Sequence, residues 1–199
     1  MKNYYTIIAV LSLALTCCKK KDKSEISVPQ IIHKEVNTIL AYNQHLNLDV
    51  NGDGKSDFYF VSVLVMENNI ASLYLLVNPD DSQGCKIIVS KEPQLVLSGL
   101  WATPFTIGSS ISANPAAGYE WNSFLNSGLI ISSADNGQQK QFSGPWIARQ
   151  NYLAIQFRVN NRVHYGWVRL SNTGGKEQVL IHDFAYNNVP EQEIRAGEQ

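Results

Sequence analysis

The feature that most constrains this chain is a rhythm. Short apolar runs recur at spacings of about ten residues, divided by clusters of Gly, Asn, Asp, Ser and Pro, from residue 31 to the end. Residues 152–159 read YLAIQFRV. Leu153, Ile155, Phe157 and Val159 share one side of a period of two, with Ala154, Gln156 and Arg158 opposite, which predicts a half-buried strand. Asn160-Asn161 is a turn pair, HYGWVRLS returns, and SNTGGKE turns again before QVLIHDFAY. Three such runs predict an antiparallel meander. Upstream, residues 57–66 (DFYFVSVLVM) and 70–77 (IASLYLLV) are dense in β-branched and aromatic residues, with Glu67-Asn68-Asn69 as the hairpin loop. No stretch after the leader keeps a 3.6-residue period over three turns, and residues 33–42 fit helix or strand equally. The chain shows no internal repeat, which argues against a propeller or solenoid. The predicted class is all-β, an antiparallel β-sandwich or jelly roll, because amphipathic sheets must bury their apolar faces on each other.

The chain has 199 residues, 44% hydrophobic and 17% charged, enough for one domain over residues 31–199. A formal net charge of −1 offers no basic field for nucleic acid. The opening MKNYYTIIAVLSLALTCCKKKDKSE has a positive Lys2 and an apolar core over residues 7–15, too short to span a bilayer. Its LTCC resembles the lipobox of bacterial lipoproteins, with Leu15 three residues before Cys18; counting from Cys17 puts Ala14 there, a poorer match. Residues 1–17 are therefore predicted to be a signal peptide, Cys18 the lipidated residue, and residues 18–30 a tether. The address implied is the bacterial cell envelope, lipid-anchored, at the outer membrane. Removing the leader leaves Cys85 with no disulfide partner, as a small buried hydrophobe.

Residues 48–60, LDVNGDGKSDFYF, pose the sharpest chemical question. Counting from Asp49, oxygen side chains fall at positions 1, 3, 5 and 9, as Asp49, Asn51, Asp53 and Asp57. Gly54 stands at position 6, and Lys55 at position 7 is placed to offer a backbone carbonyl. Calcium takes six to eight hard oxygens, and alternate side chains on a tight curl can deliver them to one point. Phe60 stands where an EF-hand needs its bidentate Glu. The spacing instead resembles the calcium loops of integrin-type and FG-GAP repeats, where a strand follows. Asn51-Gly52 and Asp53-Gly54 are also hairpin signals, so an empty turn is the competing reading. Four spaced oxygens exceed what a plain turn requires, and calcium is the predicted ligand, in a structural role.

The C-terminal run carries a further resemblance. Tyr165-Gly166-Trp167-Val168-Arg169, Asp183-Phe184-Ala185-Tyr186 and Ile194-Arg195-Ala196-Gly197, with the loop at residues 49–58, resemble a group of secreted bacterial proteins. Many of that group end in sorting tags of the PEP type. The resemblance implies an extracytoplasmic β-domain and no defined activity. Gly166 between two aromatic residues predicts close approach of a neighbouring strand. Arg158 and Arg169 are candidates to pair with Asp183.

No nucleophile elbow and no zinc-binding signature is present, and His164 and His182 fall inside predicted strands. Glu92, Glu120, Asp135 and Asp183 exist for a glycosidase pair, but sequence gives no separation. The chain is therefore predicted not to be an enzyme. Residues 98–151 read as irregular, with Trp101, Tyr119, Trp121 and Trp146 scattered through them. Tyr119, Trp121 and Trp146 are the candidate ligand-binding residues, since aromatic faces stack on sugar rings. The predicted function is a calcium-stabilised binding module for carbohydrate or an envelope partner. A structural envelope protein is the alternative, and a glycoside-acting enzyme the weaker third.

Overall fold

A computed structural model of the protein describes residues 30–94, 97, 99–123, 126–135 and 139–199. The predicted signal peptide, Cys18 and the tether up to residue 29 lie outside them. The strands are β1 (Ile31–Ala41), β2 (His45–Leu48), β3 (Phe58–Glu67), β4 (Ile70–Pro79), β5 (Lys86–Gln94), β6 (Leu100–Ala102), β7 (Pro104–Phe105) and β8 (Ser110–Ile111). They continue as β9 (Tyr119–Asn122), β10 (Ser127–Asp135), β11 (Gln141–Ser143), β12 (Gln150–Val159), β13 (Arg162–Ser171), β14 (Gln178–Asn187) and β15 (Ile194–Arg195). One 3-10 turn, Asp81–Gln83, is the only helical element among the described residues. Residues 33–42, ambiguous in sequence, belong to strand β1.

The all-β, antiparallel expectation holds. Thirteen strands form one sheet in the order β1-β14-β13-β12-β5-β6-β10-β4-β3-β2, with β7, β9 and β11 paired alongside. β1 comes back into contact with β2 and β3, so the sheet curls almost into a barrel. The pairing is antiparallel except at β6 and β10, where Gly128 aligns with Trp101 in parallel. The predicted meander is β12-β13-β14. Two hairpins close on Asn-Asn pairs, with φ of 48° and 64° at Asn68-Asn69 and 50° and 67° at Asn160-Asn161. Two-residue hairpin loops need positive φ at both positions to match the strand twist, and Asn tolerates it.

The main core fills the inside of the curl, with Phe58, Phe60, Leu75, Ile87, Leu153, Ile155, Phe157 and Val168 among its members. Each fully buried side chain of this size stabilises by roughly 1.5–3 kcal/mol before chain entropy is subtracted. The prediction of a half-buried strand over residues 152–159 needs correcting, because Ala154 and Gln156 are buried as well. A second cluster explains it. On the outer face of the meander, Ala154, Tyr165, Trp167 and Ala185 pack against Ile111 of β8 and Ile194 and Ala196 at the C-terminal end. The small β8–β15 sheet thus roofs a surface that period-two patterning assigns to solvent.

Residues 98–151 are likewise not irregular. Strands β6 to β11 run through them, and β10 pairs with β4 along eight aligned residues.

Candidate functional site

The acidic loop joins β2 to β3. Asp57 is its anchor: the residue is buried, its backbone N–H donates to Leu48 O at 2.9 Å, and its carbonyl accepts from Asp80 N–H at 2.8 Å. Its carboxylate accepts from Val50 N–H at 2.8 Å, Asn51 N–H at 3.3 Å and the Cys85 thiol at 3.4 Å. Burial raises the Asp57 carboxyl pKa against these donors, which pull it back down. Burial, with Asp57 beside it, also pushes the Cys85 thiol well up. Cys85 is a free, fully buried thiol of the kind that packs and does not react.

The outer part of the loop is a succession of Asx turns. Asp49 accepts from Gly52 N–H at 2.6 Å and Gly54 N–H at 2.9 Å, Asn51 from Asp53 N–H at 2.9 Å, and Asp53 from Lys55 N–H at 2.8 Å. Gly52 and Gly54 have φ of 77° and 85°, where a Cβ is unfavourable. Asp49, Asn51, Asp53, Lys55 and Asp57 thus lie along one curl, with Asp57 buried and Asp49, Asn51 and Asp53 accepting from backbone N–H groups of the loop. The three carboxylates are each occupied by backbone donors. The one trio of His, Cys, Asp or Glu ligand atoms within 4.8 Å of one another, among the described residues, lies elsewhere, at His33, Glu35 and Asp183.

The aromatic candidates separate. Tyr119, 38% exposed, lies at the mouth of a cleft of about 440 Å³. Its walls are Trp101 and Thr103 of the β6–β7 region, Ser90 and Glu92 of β5, and Gly144 and Arg149 of the loop before β12. Trp146 is not a surface residue, and its assignment as ligand-binding is corrected. It is 0% exposed, and its indole N–H donates to Ala102 O at 2.8 Å, which pins the loop against β6. Trp121 is half-buried, stacks on Tyr165 at 5.8 Å between centroids, and donates to Ser112 O at 3.0 Å. It belongs to the outer apolar cluster, away from the cleft walls.

Trp101 takes the place that sequence reasoning gave to the other two tryptophans. Gly144 allows this: a Cβ there would lie 2.5 Å from Leu129 O and 2.9 Å from the Trp101 ring. One residue of the cleft wall has a buried polar atom. Thr103 is 7% exposed and its hydroxyl has no hydrogen-bond partner, a rare condition for a buried polar atom. Neither the Arg149 guanidinium nor the Glu92 carboxylate has an ion-pair partner among the described residues.

A third cluster lies on the outer face of β1, β13 and β14. Asp183, fully buried, accepts from Arg169 Nε at 2.8 Å and Nη2 at 2.6 Å, and lies 3.0 Å from His33 Nε2. The predicted Arg169–Asp183 pair is thus present. Arg158 does not join it; its guanidinium reaches Asn161 O at 3.3 Å. Ser171 Oγ and His182 Nε2 share a hydrogen bond of 2.7 Å. Burial, and then the Arg169 charge, lower the His182 pKa and keep the ring neutral. Of the carboxylates considered for glycoside chemistry, Asp183 is held by Arg169 and Glu120 faces Lys91 at 3.9 Å. Glu92 stands on the cleft wall, and the Asp135 side chain lies outside the described part. No protein-family model, curated protein or solved structure matches the chain.

Proposed function

We propose that this protein is a cell-envelope binding module whose cleft between β5, β6 and the loop before β12 takes carbohydrate. The observation that carries the reading is the cleft itself. Two aromatic rings, Trp101 and Tyr119, line it together with Ser90, Glu92, Thr103 and Arg149. Its volume falls in the range of small-ligand sites, which combine apolar walls with a few placed polar groups. Ring faces supply area for the C–H face of a sugar, and Ser90, Glu92 and Arg149 supply donors and acceptors for its hydroxyls.

A glycan array probed with the full chain tests this. Binding is expected to fall about tenfold or more in Trp101→Ala and Arg149→Ala and to persist in Trp121→Phe. Silence across a broad array overturns the reading in favour of a structural envelope protein, and release of reducing sugar does so in favour of an enzyme.

Two further parts of the reading concern address and metal. Lipid on Cys18 would hold the domain at the bacterial outer membrane, a different anchoring device from the sorting tags of the secreted group that the C-terminal motifs resemble. Labelled fatty acid is expected to enter the wild-type chain and not Cys18→Ser; equal labelling of both sinks the assignment. Calcium on the loop at residues 49–57 would clamp β2 against β3. Adding calcium to metal-free protein is expected to raise the melting temperature, and less so in Asp49→Asn/Asp53→Asn. An unchanged melt contradicts it.

A further inference from the structure

We propose that His33, Glu35 and Asp183 form a site for a divalent transition-metal ion of the zinc type, separate from the acidic loop. Their ligand atoms lie within 4.8 Å of one another. The fold brings them together through register, since Glu35 of β1 is the direct partner of Asp183 of β14. His33, two residues before Glu35, projects to the same face.

Two irregularities frame the spot. Glu35 aligns with Asp183 and Thr38 with Ile181, so Val36 and Asn37 stand opposite His182 alone, and Asn37 has a φ of 50°. On the other side Arg169 aligns with Asp183 and Leu170 with Ile181, so against β13 the extra residue is His182 itself. Bulges of this kind bend a strand and re-aim its side chains, and they gather next to sites.

The donor set is mixed, one imidazole and two carboxylates. Imidazole selects against calcium and magnesium and suits zinc and its neighbours. His33 Nε2 and Asp183 Oδ2 are 3.0 Å apart. Two ligands each about 2.0–2.2 Å from a tetrahedral zinc stand about 3.3 Å apart, so the ion needs only a small widening. It would replace the single hydrogen bond between His33 and Asp183. Both Arg169 bonds stay in place, because each carboxylate oxygen has a second lone pair. Arg169 then acts as a positioning residue that fixes the buried carboxylate, the usual part of an outer-shell partner. With Glu35 and Asp183 negative and Arg169 positive, the groups facing the ion carry one net negative charge. The Gln199 amide reaches His33 Nε2 at 3.3 Å and, rotated to present its oxygen, offers a further donor.

The test is calorimetric titration of the untagged full chain with Zn²⁺, and Co²⁺ absorption as a report on the coordinating atoms. One ion per chain is expected, with a higher melting temperature. His33→Gln and Glu35→Gln, both at accessible positions, should each weaken binding about tenfold or more. Asp49→Asn/Asp53→Asn should leave Zn²⁺ uptake unchanged. The proposal is overturned by absence of saturable uptake, by uptake that survives His33→Gln/Glu35→Gln, or by uptake lost in the loop variant instead.

Discussion

Asp80 shows how one side chain can hold a junction. Its carboxylate accepts from Ser82 N–H at 2.9 Å, Ser82 O–H at 2.6 Å and Tyr59 O–H at 3.2 Å, while its own N–H donates to Asp57 O. The Ser82 hydroxyl, chiefly, lowers its pKa below the ordinary 3.8, with further hydrogen bonds outweighing burial. A carboxyl with a depressed folded pKa stabilises fully above its unfolded pKa and loses that contribution as pH falls towards the folded value. Wild type should therefore exceed Asp80→Asn in stability near neutral pH, and the gap should narrow as pH falls past the ordinary 3.8 towards the lowered folded value. Chemical denaturation at several pH values reads this directly, and a gap independent of pH contradicts it. Asp57, raised by burial, acts with the opposite sign, but it is common to both proteins and cancels. At this scale sequence spacing located the turn glycines correctly, with φ of 77° at Gly52 and 85° at Gly54. It gave no sign that Asp57 points inward onto Val50 and Cys85, because burial depends on strands far away in the chain.

Among the elements, β13 packs tightly on β14. A Cβ on Gly166 would lie 2.5 Å from Ala185 O and 2.9 Å from Tyr186 Cβ on β14. Neither atom is the end of a flexible side chain. Gly166→Ala is expected to cost about 1–3 kcal/mol by overpacking, measured by urea denaturation. A neutral or stabilising result would mean that the sheet relaxes at no cost. This close approach was legible in Tyr165-Gly166-Trp167, as were the Asn-Asn hairpins and the three-strand meander, since each rests on local rules. The outer cover was not. Ile111, Ile194 and Ala196 come from two short strands far apart in sequence, and nothing local announces that they meet over Trp167. For the same reason residues 98–151 read as irregular: all their strands but β10 are short, and their pairing partners lie in β4, β5 and β12.

At the scale of the whole molecule, the near-closed curl encloses the main core, the outer face of the meander is covered by a second cluster, and a cleft opens beside β5 and β6. The sequence reading drew its aromatic candidates from residues 98–151, but three tryptophans of similar context there have three fates. Trp146 closes the core, Trp121 supports the outer cluster, and Trp101 faces the cleft. Only the three-dimensional path of the loop through Gly144 separates them. The most direct measurement is an NMR titration of isotope-labelled protein with oligosaccharides, following indole and backbone N–H signals. If the cleft is the binding site, the Trp101 indole and the amides of Thr103, Tyr119 and Gly144 shift in a saturable way while the Trp121 and Trp146 indoles stay fixed. Saturable shifts centred elsewhere, or none with any sugar, would contradict it.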